Sequence, residues 1–203
     1  MGNRQQRGQR WSRATRACAT AVVALVAVFG ARPAHAQRVD GNLEAAIHLK
    51  ALNYDRALPK RAHGQVTIAV VYLAGQEASE SVGKAMVSAF RQLGKEMKVR
   101  GMPVAVVALP FKPDTLGDDL AASNAAAIYI APGLDAAIPV IHAAALLRKA
   151  PTLCGDQAQV KIGVAIGVHR RGKAAGITIN LKVARALGMD LDSALFAVAE
   201  VLK

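Results

Sequence analysis

The stretch VTIAVVYL, residues 66–73, decides the fold. It is almost wholly apolar and rich in β-branched side chains, which is the composition of a strand buried on both faces of a parallel sheet. Gly75 interrupts it, and from residue 79 to residue 97 apolar residues then recur at steps of three and four. That spacing predicts an amphipathic helix with one face on the sheet. A buried strand followed by such a helix is the repeating unit of an α/β fold.

The same alternation continues on both sides of this unit. A helix is predicted at residues 43–58, where Pro59 stops it. The later predictions are strands at 104–109, 126–130 and 152–154, helices at 115–123 and 134–149 (with Pro139 breaking the first turns of the second), strands at 164–168 and 176–180, and closing helices at 181–187 and 193–202. We interpret the last two strands as an antiparallel hairpin joined by a basic link at residues 169–173. The predicted fold is therefore a three-layer α/β sandwich with a mostly parallel sheet, to which the C-terminal antiparallel hairpin adds an edge.

The N-terminal residues follow the order of a secretory signal peptide. Residues 1–16 carry five arginines and no acid, residues 17–31 are apolar, and residues 34–36 read Ala-His-Ala, a small-residue cleavage site. Cleavage is predicted between Ala36 and Gln37, which leaves residues 37–203 as a single α/β domain in the periplasm. The apolar run is shorter than the roughly 20 residues of a membrane-spanning helix, so no stable span is expected after cleavage. An uncleaved amphipathic anchor is the alternative.

The charge balance argues against nucleic acid as a partner. The whole chain has a formal net charge of +12, but residues 1–36 hold six arginines and no acid, so the mature domain carries +6. A mildly basic protein outside the cytoplasm does not meet a genome. Cys154 is the one cysteine that remains after cleavage, and it is either a buried small hydrophobe or a bridge between two chains.

The sequence contains no recognisable catalytic, cofactor or metal constellation. Residues 167–173 have the spacing of a phosphate loop, but Ala174 follows the lysine and the next segment is β-like, so we interpret them as a hairpin turn. The mature histidines show no zinc-ligand spacing, and no serine stands in a nucleophile elbow. No enzymatic activity is therefore predicted. Arg170, Arg171 and Lys173 are interpreted as a solvated turn or as a contact for an anion or an acidic partner.

Residues 177–191, ITINLKVARALGMDL, resemble the closing signature of the YfiR/HmsC-like family, in which a strand ending in Ile-Asn-Leu precedes an Ala-Arg pair and a glycine. The residues that carry the resemblance are Ile179, Asn180, Leu181, Ala184, Arg185 and Gly188. Asn180 is placed to cap a helix and Gly188 to end one with positive φ, so we interpret the signature as structural. Residues 54–59, YDRALP, stand where the family has an aromatic-rich patch and keep one aromatic and the proline, so the chain resembles a divergent member.

The resemblance implies a non-enzymatic periplasmic repressor. Such proteins bind the periplasmic domain of an inner-membrane diguanylate cyclase and restrain cyclic-di-GMP synthesis and biofilm growth; a homodimer is a further expectation. The residues themselves leave a second function open, that of a small-solute binding module whose ligand sits at the strand ends near residues 72–76, 109–113 and 130–134. A hydrolase without a standard motif is a third, weaker alternative.

Overall fold

The computed structural model describes residues 38–203. The predicted signal peptide and its cleavage site between Ala36 and Gln37 lie outside the described residues. In chain order the helices are α1 (Gly41–Asn53), α2 (Leu58–Ala62), α3 (Glu77–Glu96), α4 (Leu116–Ala122), α5 (Ile138–Arg148), α6 (Gln157–Lys161), α7 (Leu181–Ala186) and α8 (Ser193–Phe196). The strands are β1 (Val66–Tyr72), β2 (Val104–Pro110), β3 (Ala125–Ile130), β4 (Thr152–Cys154), β5 (Ile166–Arg171), β6 (Ala174–Asn180) and β7 (Ala199–Leu202).

The seven strands form one sheet in the order β2-β1-β3-β4-β5-β6-β7. The strands from β2 to β5 pair in parallel. β5 and β6 form an antiparallel hairpin, and β7 then pairs in parallel with β6. The predicted α/β class, the mostly parallel sheet and the antiparallel hairpin are all confirmed.

Helices cover both faces of the sheet because the strand order reverses at β1. The chain moves one way from β1 to β2 and the other way from β2 to β3, so right-handed crossovers place α3 and α4 on opposite faces. α1 contacts α3 on one side, and α4 contacts α5 on the other. β3 is buried along its whole length, and β1 along all of it except Tyr72, as the apolar run at residues 66–73 predicts.

Two prolines begin helices where the sequence suggested that they end or break them. The helix predicted at residues 43–58 is in fact two helices, because α1 ends at Asn53 and α2 starts at Leu58 with Pro59 in its first turn. Pro139 likewise opens α5, after a short 3-10 turn over Asp135–Ala137. Proline is well tolerated in a first turn, where its missing N–H would have no partner inside the helix.

The C-terminal prediction at residues 193–202 is wrong. α8 is a single turn that ends at Phe196, and the chain then extends into β7 beside β6. On this side the sheet therefore ends at β7 and not at the hairpin. α6 was also missed, although Asp156 caps it by accepting a hydrogen bond from the Ala158 amide at 2.8 Å.

The hairpin is longer and its turn shorter than predicted. β5 runs to Arg171 and β6 starts at Ala174, so the link has two residues instead of five. Its first residue, Gly172, has φ 62°, which glycine adopts without strain. No helix among the described residues is both long enough and apolar enough to cross a membrane.

Candidate functional site

The three hairpin cations are exposed, but they do not converge on one surface. Arg170 and Arg171 lie within β5 and pair with Ala175 and Ala174. Successive side chains of a strand point to opposite faces, so these two arginines diverge. Lys173 lies in the turn itself. The hairpin tip is therefore a solvated, positively charged projection and not a pocket for a single anion.

The residues of the closing signature hold the C-terminal part of the fold together. Asn180 caps α7 by accepting from the Val183 amide at 3.1 Å, and its Nδ2 donates to the Val160 carbonyl at 3.1 Å. Ile179 and Ala184 are buried. Gly188 has φ 74°, as a helix-ending glycine requires. Asn180 therefore caps a helix and Gly188 has the positive φ expected of a helix-ending residue, whereas Leu181 is half-buried and Arg185 is exposed.

Residues 54–59, where the chain departs from the family's aromatic-rich patch, dock against the end of that signature. The carboxylate of Asp55 is fully buried, forms an ion pair with Arg61, and accepts the backbone amides of Ala57 and Asp190, each at 3.0 Å. Arg61 also donates to the carbonyl of Gly188 at 2.7 Å. The corner between α1 and α2 is thereby fastened to the loop after α7.

A buried polar cluster joins α1 to the carboxyl ends of β3 and β4. Glu44 on α1 accepts a hydrogen bond of 2.5 Å from the Tyr129 hydroxyl. Arg38 donates to the same hydroxyl at 2.7 Å and pairs with Glu44 at 3.1 Å. His48 lies one turn along α1, with its Nε2 3.9 Å from Glu44 Oε1. The side chains of Glu44 and His48 are essentially inaccessible, and that of Arg38 is 30% exposed.

Burial sets the protonation of this cluster. It raises the pKa of Glu44, against the opposing effect of Arg38, and it raises the pKa of Tyr129 well above its ordinary value. Burial also lowers the pKa of His48 to about 3; the nearby Cys154 backbone opposes that shift and Arg38 reinforces it. Neither ring nitrogen of His48 has a hydrogen-bond partner in the described structure. His48 is therefore neutral. Its ring packs against two aromatic rings, with its centroid 5.7 Å from that of Tyr129 and 6.4 Å from that of Phe90.

At the crevice where an α/β sheet commonly binds its ligand, the protein's own side chains lie against two loop glycines. That crevice lies at the carboxyl ends of β1 and β3, on either side of the reversal in strand order. There the carboxamide of Gln76, which follows β1, contacts Gly133, which follows β3, and leaves no room for a Cβ atom. Arg38 and Glu44 cover Gly155 after β4 in the same way. Polar side chains thus lie against two of the loops at this end of the sheet, and Gln76 and Gly133 both remain exposed to solvent.

An open groove of about 660 Å³ lies instead between α3 and the edge strand β2. Its wall consists of one face of α3, and its floor includes Ala108 of β2. Three cations line that wall: Lys84, Arg91 and Lys95. Tyr72, at the end of β1, also lines the groove. These residues are absent from the sites predicted from the sequence, although their spacing on α3 forms a regular helical stripe that indicates a basic face.

The remaining reactive group that the sequence pointed out is the thiol of Cys154. Cys154 is fully buried, as one of its two interpretations requires, and burial raises the pKa of its thiol. Its sulfur lies 3.1 Å from the carbonyl of Asp156. Within residues 38–203, no group of three or more His, Cys, Asp or Glu side chains is arranged to hold a metal ion.

Comparison with known proteins identifies the fold. No family model and no curated protein matches the chain. Among solved structures it resembles the ABC domain from Streptococcus pneumonia in complex with L-Trp, at a TM-score of 0.51 and 15% identity over 75% of this chain and 62% of the other. It also resembles a conserved domain protein from Vibrio cholerae, at 0.56 and 17% identity over 78% of this chain and 60% of the other.

A third similar structure is CD0873 from Clostridium difficile, a substrate binding protein with adhesive properties, at a TM-score of 0.51 and 16% identity over 72% of this chain and 57% of the other. The chain thus spans about three fifths of the length of each of these proteins. At such identities the likeness establishes the layered α/β fold alone. The YfiR/HmsC-like resemblance stays a prediction.

Proposed function

We propose that this chain is a non-enzymatic periplasmic regulator that binds the periplasmic domain of an inner-membrane signalling protein. The family that its closing residues resemble points to a diguanylate cyclase as that protein. The observation that carries the proposal is that the protein's own side chains lie at the strand-end crevice, with Gln76 against Gly133 and with Arg38 and Glu44 over Gly155. These side chains compete with a solute for that place, which favours a role for the surface of this fold.

Two further observations support a surface role. The hairpin tip presents Arg170, Arg171 and Lys173 to solvent, and the α3 groove presents a second set of cations. Exposed charges of one sign speed the encounter with an oppositely charged partner and select against others. The predicted signal peptide would bring the domain to the compartment where such a sensor domain is exposed.

A deletion strain tests the proposal. If the protein restrains a cyclase, its deletion raises the cellular level of cyclic-di-GMP. Supplying the wild-type protein to the deletion strain then lowers that level again. Capture of residues 37–203 with membrane proteins from the same cells should recover a signalling protein with a periplasmic domain. An unchanged cyclic-di-GMP level together with no such protein in the captured fraction overturns the proposal.

A matched pair of variants tests the hairpin. Arg170→Gln, Arg171→Gln and Lys173→Gln together remove three exposed charges from the tip. The control, Lys60→Gln, Lys98→Gln and Lys161→Gln, removes three exposed charges elsewhere. We expect the control variant to return the cyclic-di-GMP level of the deletion strain to that of the wild type. The hairpin variant should leave it raised. Equal rescue by both variants would assign the contact to another surface.

The small-solute function is the second candidate, and the likeness to a substrate binding protein and to an L-Trp complex favours it. A ligand present at 100 times its dissociation constant would add about 2.7 kcal/mol to the free energy of unfolding. A thermal-shift screen with amino acids, sugars and organic anions detects such an increase. A saturable shift that Gln76→Ala alters would favour solute binding at the crevice over the regulatory proposal.

A further inference from the structure

The sheet ends on one side in a seven-residue strand, β2, whose outer edge has backbone groups available for pairing. On its inner side the Val66 amide donates to the Pro103 carbonyl at 2.9 Å, and the Phe111 amide donates to the Tyr72 carbonyl at 2.7 Å. The backbone groups of a strand point alternately to its two sides. Residues 105, 107 and 109 therefore face β1, and Val104, Val106 and Ala108 direct their N–H and C=O groups outward.

One side-chain contact confirms this direction independently. Nη2 of Arg91, on α3, donates to the carbonyl of Val106 at 3.4 Å. Within residues 38–203 the outward amides of Val104, Val106 and Ala108 have no hydrogen-bond partner. An exposed edge of this kind is a template on which another extended segment can pair.

The groove beside this edge determines what kind of segment fits. The strand beside the groove is apolar, because Val104 and Val106 are half-buried valines and the exposed Ala108 lines the groove itself. The wall is cationic, since Lys84, Arg91 and Lys95 follow one another along α3. Glu80 is the acid that pairs with this stripe, through Lys84 at 3.1 Å, which leaves Arg91 and Lys95 without a carboxylate partner in the described structure.

We propose that β2 and the adjacent face of α3 form a docking site for an extended acidic segment of the regulatory partner, which adds to the sheet as an eighth strand. This inference rests on the proposed function and names the surface and the partner chemistry. Residues 104–108 offer about 16 Å of edge at roughly 3.3 Å per residue, enough for a five-residue strand. Carboxylates at alternate positions would reach the α3 cations, and the apolar positions would cover Val106 and Ala108.

Charge distinguishes this occupant from two others. A second copy of the chain would bring its own Lys84, Arg91 and Lys95 against the first set, and like charges facing each other across paired strands are destabilising. Residues 1–37 contain no Asp or Glu. They therefore do not supply the acidic side chains that the groove would pair with.

The test uses residues 37–203 and a defined probe, the blocked peptide Glu-Val-Glu-Val-Glu-Val-Glu with a fluorophore. Fluorescence anisotropy should show saturable binding that weakens as salt is added, and no binding of the peptide with Lys in place of Glu. The variant Lys84→Gln, Arg91→Gln, Lys95→Gln should weaken binding at least tenfold. The three control substitutions at Lys60, Lys98 and Lys161 should leave it unchanged.

Backbone pairing is tested at Ala108. Ala108→Pro removes an outward N–H at a position where an edge strand tolerates proline, and should weaken binding about tenfold. Ala108→Ser keeps that N–H and should bind as the wild type does. In the wild-type protein, hydrogen exchange should slow at the amides of Val106 and Ala108 when the peptide binds, while the amides of Ala105 and Val107 stay protected throughout.

Several results would overturn the inference. One is equal binding of the acidic and basic peptides, and another is binding without slower hydrogen exchange at the amides of Val106 and Ala108. A third is displacement of the peptide by citrate with an affinity comparable to that of the peptide, which would indicate a site for free anions. Failure of the docking site is separable from failure of the proposed function. If the Ala108→Pro protein still lowers cyclic-di-GMP in cells, the regulator stands and the surface is wrong; if the wild type has no effect on cyclic-di-GMP, the regulator itself is wrong.

Discussion

Replacing His48 with leucine should reduce the stability that this fold loses in acid. The ring is fully buried between Tyr129 and Phe90, and neither of its nitrogens has a partner in the described structure. Its pKa is about 3 in the folded protein against 6.5 for the free side chain. The unfolded chain therefore binds a proton at this position before the folded chain does, so acid favours unfolding.

The magnitude follows from the two pKa values. His48 contributes its full share of stability above pH 6.5, and that share is lost progressively as the pH falls toward 3. At 1.36 kcal/mol per pH unit, acidification to pH 5 costs about 2 kcal/mol through this one ring. Glu44 acts in the opposite direction because its folded pKa is raised. Its contribution is common to the wild type and the variant and cancels, to first order, in their difference.

Urea denaturation followed by circular dichroism at pH 7.5 and at pH 5 measures the effect. The drop in the free energy of unfolding between the two conditions should be about 2 kcal/mol smaller in His48→Leu than in the wild type. His63→Gln, at an exposed histidine, is the control and should follow the wild type. If His48→Leu and the wild type lose equal stability on acidification, the account of a buried neutral ring is refuted.

Three other substitutions probe the remaining parts of the structure. Arg38→Ala removes the counter-charge of the buried Glu44 and should cost about 3 kcal/mol at pH 7.5, and the cost should become smaller as the pH falls, because a protonated Glu44 needs no counter-charge; a cost that does not change with pH would contradict this. Asn180→Ala should cost about 1 to 2 kcal/mol through the lost α7 cap and the lost bond to the Val160 carbonyl, whereas Asn180→Ser keeps a capping oxygen and should lose less in the same urea titration. Cys154 is buried, so wild type and Cys154→Ala should migrate alike on non-reducing electrophoresis; a wild-type band at twice the mass would show a bridge between chains.

The elements that the sequence predicts correctly are those that local composition determines. The apolar side chains at residues 66–73 are buried on both faces only if the run is a central strand. Asn180 lies at a strand-to-helix junction, where its side chain is suited to cap the helix. β7 was missed because AVAEVL, at residues 197–202, fits a helix as well as a strand. Its extended form depends on pairing with β6, which no local pattern reveals.

The candidate sites depend even more on distant parts of the chain. Glu44 is buried because Arg38 and Tyr129 satisfy its oxygens, and Tyr129 stands 85 residues away from it. The stripe of Lys84, Arg91 and Lys95 is visible in the sequence as a basic helix face. Its position beside an unpaired strand edge follows only from the strand order, which places β2 outermost.

The anchoring of Arg38 also bears on where the chain can be cut. One residue, Gln37, separates it from the predicted processing point, so removal of just two further residues by an aminopeptidase, or a single tryptic cut after Arg38, would detach the guanidinium from the domain. We expect the trimmed protein to be the less durable form in a compartment rich in proteases. An N-terminal purification tag should accordingly be released by a protease that does not cleave after arginine.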